Sequence, residues 1–191
     1  MILTETDYIT STLQGHLNTD TQGIRNLLTW YATVSVHFDT TIYVCCHELD
    51  WLDANLAALW SALIYKLKKE NNLEIKLDHA SLASRFSILI RNGFSTPEFS
   101  AENLAPTFIR NASFGPTEEQ GFSDYISGEL MQQSQIKNLS PEMRGLLECN
   151  VYELYLNVFK HADTSDPFFI CGQHYPKRNE LVVSLVDLGQ S

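Results

Sequence analysis

Apolar residues recur in this chain in two rhythms, one helical and one alternating. In "GIRNLLTWYATV" (23–34), Leu27, Leu28 and Tyr31 fall on one helical face. The segment "VSVHFDTTIYVCC" is rich in β-branched and aromatic residues and predicts two short strands, 34–38 and 41–46, around a "DTT" turn. A long helix follows in "ANLAALWSALIYKLKKENN", with Asp53 as its cap and Leu56, Leu59, Trp60, Leu63, Ile64 and Leu67 as a broad stripe. Lys66, Lys68 and Lys69 fall in its last turns, where the helix dipole favours cations. "LEIKLD" (73–78) alternates as a strand, and Ser81 is placed to cap a helix ending at Asn92-Gly93. Strand, helix, strand and helix joined by short links predict parallel pairing.

The pattern changes at 95–118, which holds three of the six prolines and no helical period. This stretch reads as a boundary, although "PTFIRNASF" can add a strand. Helices are predicted at 119–134 and 141–162, the second with Ser140 as cap and Pro141 in its first turn. Its expected buried stripe is Met143, Leu147, Val151, Leu154 and Val158. "FFICGQHYP" and "ELVVSLVDLG", joined by "KRN", predict an antiparallel hairpin.

The 191 residues are 44% hydrophobic and 11% aromatic, enough for a substantial core. The formal net charge of -10 argues against nucleic acid as principal partner, because phosphate binding needs a basic surface. Anionic membranes are disfavoured for the same reason, and no apolar run reaches the length of a membrane span. The N-terminus lacks a basic region followed by an apolar one, so no signal peptide is expected and the reading is cytoplasmic. The first twenty residues are polar and are expected to be loosely ordered.

Cys45, Cys46, Cys149 and Cys171 show no C-x-x-C spacing, which predicts reduced thiols rather than a metal or redox pair. "HELDWLD" gathers His47, Glu48, Asp50 and Asp53 but lacks the glycine and distal glutamate of a calcium loop, so it reads as a loop with a capping aspartate. Trp30, Trp51 and Trp60 are expected as core or interface anchors, and His174 and Tyr175 as exposed residues near the hairpin turn.

On the 141–162 helix, Glu153, Asn157 and His161 recur every four residues and form a polar face. A carboxylate, an amide and an imidazole in a row can serve as base, metal ligand and orienting group, or can simply be a solvated face. Lys160 precedes His161, and the hairpin ends in Asp187-Leu188-Gly189. Helix, hairpin and Asp-x-Gly together resemble the GHKL superfamily of ATP-binding domains. The resemblance implies Glu153 as general base, Asn157 as Mg²⁺ ligand, Lys160 and His161 lining the phosphate side, and Asp187 with Gly189 holding adenine. Mg²⁺ takes oxygen ligands and leans on nucleotide phosphates, so one amide oxygen is a sensible protein ligand. The family's second glycine of that box is Ser191 here, and the later phosphate-wrapping box is not in this sequence. Little or no ATPase activity is therefore expected, because phosphoryl transfer rests on positioning and charge stabilisation.

Residues 34–94 resemble the STAS fold of anti-sigma-factor antagonists, through "IYVCCHELDWLDANLAALWSALIYKL" and "NGF". The loop that phosphorylatable members use reads Leu52-Asp53-Ala54-Asn55 here, without a hydroxyl acceptor. The expected fold is α/β (α+β), a STAS-like sheet with helices followed by an incomplete GHKL-like sandwich. The expected organisation is an N-terminal segment at 1–22, a STAS-like domain at 23–95, a linker at 96–118 and a partial ATP-binding domain at 119–191. Three functions stay open: a partner-switching regulator with an ATP and Mg²⁺ half-site, an active GHKL-type ATPase or kinase, and a structural interaction module. The first and third imply a protein partner. An apolar edge at "ELVVSLVDL" implies homodimerisation or docking against the STAS-like half.

Overall fold

A computed structural model describes residues 8–95, 107–161 (at 161 the backbone alone) and 164–189. The fold is mixed α/β, with parallel and antiparallel sheets, as the sequence pattern predicts.

The N-terminal half is built on parallel pairing. Strand β1 (Tyr8–Thr12) leads through β2 (Gly15–Leu17) to helix α1 (Thr21–Val34). Then come β3 (Thr41–Cys45), β4 (Leu49–Leu52), a 3₁₀ turn at Ala54–Leu56, α2 (Ala57–Asn71) and β5 (Glu74–Leu77). The sheet order is β1-β3-β5, all parallel, and β2 pairs parallel with β4 beside it. The predicted β3–helix–β5 unit is therefore present. Residues 8–17 are ordered strands rather than a loose polar lead, since Leu13 and Leu17 are buried in the first core.

No strand forms at 34–38, where one was expected. Ser35 N–H continues the α1 ladder to Tyr31 O, and His37 N–H turns back to Val34 O. The carbonyls of Ser35 and His37 accept from the Asn71 amide at 2.7 and 3.1 Å, so a side chain does what a neighbouring strand would do. The helix expected after 80 begins at Asp78, whose carboxylate accepts Ser81 N–H at 3.1 Å, so Asp78 rather than Ser81 is the cap. It breaks at Phe86 into α3 (His79–Arg85) and α4 (Ser87–Arg91), and Gly93 follows with φ +81° as the stop.

The C-terminal half is an antiparallel sheet in the order β6-β7-β8, from β6 (Phe108–Phe114), β7 (Phe168–Tyr175) and β8 (Glu180–Val186). β6 thus occupies part of the stretch expected to be a linker; 96–106 lies outside the described residues. The predicted 119–134 helix divides into α5 (Glu119–Tyr125), a π-helical turn at Ile126–Leu130 and, farther on, α6 (Ser134–Lys137). Helix α7 (Pro141–His161) starts with Met143 N–H bonded to the Ser140 hydroxyl, as expected.

β7 is the strand on which both cores meet. Side chains alternate across a strand, so Phe168 and Ile170 enter one core while Phe169 and Cys171 enter the other. The first core lies among Leu27, Ile42, Trp60, Leu67 and Leu82, with Trp30 and Trp60 edge to face at 6.1 Å. The second is aromatic: Phe122 stacks on Tyr155 at 4.7 Å and meets Phe168 edge-on at 5.3 Å. Each fully buried large apolar side chain contributes about 1.5–3 kcal/mol of transfer free energy.

The aromatic core also corrects the expected orientation of α7. Val151 and Tyr155 are buried, whereas Met143 and Leu154, assigned to the buried stripe, are 53% and 49% exposed. Docking Tyr152, Tyr155 and Phe159 on the ring cluster turns the helix away from the aliphatic register. β8 is an outer strand of its sheet, yet Leu181, Val183 and Leu185 pack on the second core and Val186 on the first. Its side chains are half-buried along Leu181–Val186, partly against α2.

Candidate functional site

Three places gather groups capable of chemistry. The first is the polar face of α7 with the end of β8. Glu153, Asn157 and Lys160 are all exposed, and among the described residues their side chains make no hydrogen bond or ion pair. The rotation of α7 puts Leu154 on this same exposed side. Asp187 is exposed and folds back on itself: its Oδ1 accepts Gly189 N–H at 2.9 Å, leaving Oδ2 for an external donor. The side chain of His161 and all of Ser191 lie outside the described residues. Among the described residues no hydrogen bond or ion pair joins the α7 residues to Asp187.

The second place is the junction between the halves. Asp53 does not cap α2 as expected, because the chain enters through a 3₁₀ turn with Asp53 extended. Its carboxylate instead accepts Thr19 N–H at 2.7 Å and the Trp51 indole N–H at 3.0 Å, tying the β2–α1 and β4–α2 links together. Asn55, only 1% exposed, donates to the Thr19 hydroxyl at 2.6 Å and accepts from the Tyr175 hydroxyl at 2.9 Å. The Arg178 guanidinium stacks 4.3 Å from the centre of the Tyr175 ring. Burial first, then the Asp53 charge, pushes the Tyr175 hydroxyl up to about 12, so it remains a donor at neutral pH. A polar cleft lined by Asn18, Asp20, Trp51 and Glu180 opens beside this network. His174, expected to be exposed, is buried against the Gln135 amide because it lies on the inward side of β7.

The third place is the carboxyl end of β3 and β5, where open parallel sheets commonly place ligands. Asp78 N–H donates to Val44 O at 3.1 Å, which sets Asp78 beside the end of β3. Ligand atoms of Cys45, His47 and Asp78 lie within 4.8 Å of one another. His47 Nε2 is 3.5 Å from Asp78 Oδ2, and His47 Nδ1 is 3.2 Å from the Ser81 hydroxyl. Arg85 donates to the His47 carbonyl at 2.7 Å and fixes the loop. Burial pushes the Asp78 carboxyl up, but Ser81 and the His47 ring outweigh it and hold the group below its usual range. Sequence reading set His47 with Glu48, Asp50 and Asp53. The observed group escaped it because two strands distant in sequence supply the partners. Parallel pairing of 41–45 with 74–77 was the signal that could have found it.

The two buried thiols are inert by contrast: burial pushes both Cys46 and Cys171 up to about 12. Among the described residues no helix is long and apolar enough to cross a membrane. Comparison with known proteins returns no match to a protein-family model, a curated protein or a solved structure.

Proposed function

We propose that this chain is a cytoplasmic regulator of the partner-switching type. In this reading a STAS-like half is coupled to an ATP- and Mg²⁺-responsive GHKL-like half-site with little or no catalysis. One observation carries it: the Leu52–Asn55 loop, which precedes α2 where STAS-like proteins place their regulatory loop, is joined through Asn55 to Tyr175 of the hairpin leading to Asp187. A ligand that orders the end of β8 therefore has a short mechanical route to that loop. Support for the ligand class comes from the unengaged Glu153, Asn157 and Lys160 side chains on α7 and from the exposed Asp187 carboxylate. A bound Mg-nucleotide would take Asn157 as its Mg²⁺ ligand, Lys160 on its phosphate side and Asp187 as acceptor of the adenine amino group beside Gly189. The phosphate role expected of His161 falls on a side chain outside the described residues. Glu153 is the group that would orient a nucleophile if turnover occurs.

The exposed Met143, Leu146 and Leu154 on α7 favour a second reading, in which this helix binds a protein partner and the half-site is only scaffold. Calorimetric titration with Mg-ATP separates the two. Binding that is lost in Asp187→Asn and weakened in Asn157→Ala is expected for the nucleotide-sensing regulator. No heat and no shift in melting temperature at millimolar Mg-ATP would overturn it in favour of the interaction module.

A further inference from the structure

We propose that Cys45, His47 and Asp78 form a site for a zinc-class divalent cation at the carboxyl end of the parallel sheet, separate from the nucleotide half-site. The donor set is a thiolate, an imidazole and a carboxylate, which suits Zn²⁺ and disfavours Mg²⁺ or Ca²⁺. The three ligand atoms, all within 4.8 Å of one another, have to draw in around one ion. Ligands of one tetrahedral zinc at about 2.1 Å stand about 3.4 Å apart, and His47 Nε2 and Asp78 Oδ2 are already 3.5 Å apart.

A second observation points to a missing ligand. Asp78 is 3% exposed, and its buried Oδ2 makes no hydrogen bond, although the His47 ring faces it at 3.5 Å. A desolvated carboxylate oxygen with no hydrogen-bond donor is better served by a cation shared with that ring than by the ring edge alone. The other carboxylate oxygen accepts Ser81 N–H, which orients the group and leaves Oδ2 as the monodentate ligand. Ser81 also serves the imidazole: its hydroxyl meets Nδ1, so Nε2 is the nitrogen left for the metal. Hydrogen bonds that orient metal ligands from behind are the usual support of such sites. Cys45 is half-buried and the His47 side chain is 74% exposed, so the fourth tetrahedral position faces solvent.

The test uses the full chain and Co²⁺ as an optical stand-in for Zn²⁺. One equivalent of Co²⁺ is expected to give a thiolate-to-cobalt charge-transfer band and the visible bands of a tetrahedral site, both abolished by excess Zn²⁺. Cys45→Ser should remove the charge-transfer band, and Cys149→Ser should leave it unchanged. His47→Ala, at a side chain 74% exposed, should weaken binding by about tenfold or more. Absence of the charge-transfer band in the parent chain overturns the proposal. So does its persistence in Cys45→Ser, or equal Co²⁺ affinity in His47→Ala.

Discussion

The Cys171 sulfur on β7 accepts the backbone N–H of Ala58 at 3.2 Å, joining residues 113 positions apart. The same thiol donates toward the Asn55 carbonyl at 3.1 Å, so a small buried side chain satisfies polar groups at the start of α2. Truncation would leave an amide unpaired and a gap between the halves. Cys171→Ala is expected to destabilise the protein by roughly 1–2 kcal/mol. Because β7 serves both cores, unfolding should also be a single event. Two of the three tryptophans, Trp30 and Trp60, are buried in the first core, so the change in tryptophan fluorescence on unfolding follows mainly that core while far-ultraviolet dichroism follows the whole chain. Urea curves from the two signals should coincide, and separated midpoints would show the halves unfolding independently.

Two helical glycines should respond oppositely to alanine. A Cβ at Gly23 would lie 2.0 Å from the Asn18 carbonyl oxygen, and backbone cannot swing aside as a side-chain tip can. Gly23→Ala is therefore expected to cost about 1–3 kcal/mol despite the better helix propensity of alanine. A Cβ at Gly145, on the exposed side of α7, meets nothing within 4 Å. Gly145→Ala should stabilise by about 0.5–1 kcal/mol. Thermal melts of the two variants against the parent check both signs.

Asp166 joins the C-terminal half to α2 through the Lys69 ammonium and the Tyr65 hydroxyl, the latter at 3.0 Å. The Lys69 bond first, helped by Tyr65, holds the Asp166 carboxyl below its usual range. A carboxyl with a lowered folded pKa contributes stability above its unfolded value, about 3.9, and that contribution disappears as pH falls through the folded value. Asp166→Asn should therefore lower the urea midpoint at pH 7 and have little effect near pH 2. An equal loss at both pH values would mean that packing, not charge, makes the contribution.

Much of this fold was legible because its segments carry strong local signals. The α2 stripe, the parallel β3–α2–β5 unit and the β7–β8 hairpin follow from periodicity and turn residues. The errors arose where tertiary partners outrank local pattern. Val34–Phe38 is β-prone, but Asn71 captures its carbonyls. α7 had two apolar faces on offer, and the ring cluster around Phe122 and Phe168 chose the aromatic one. Asp53 had capping chemistry, but the Thr19 amide and the Trp51 indole claimed it. The row of Glu153, Asn157 and His161 could be picked out in the sequence because it lies on one helix. The Cys45–His47–Asp78 group could not, because it exists only once β3 and β5 pair.

The double service of β7 also has a consequence during synthesis. A ribosome that has delivered β1 to β5 has released a half-domain whose α2 still lacks the strand that covers Ala57 and Ala58. That surface stays bare while β6 and the helices through α7 are translated, at about 5–20 residues per second. The nascent chain thus passes through an interval with an apolar flank on view, closed when Phe169 and Cys171 arrive. Chaperone contact in the cell would concentrate in that interval rather than at the termini.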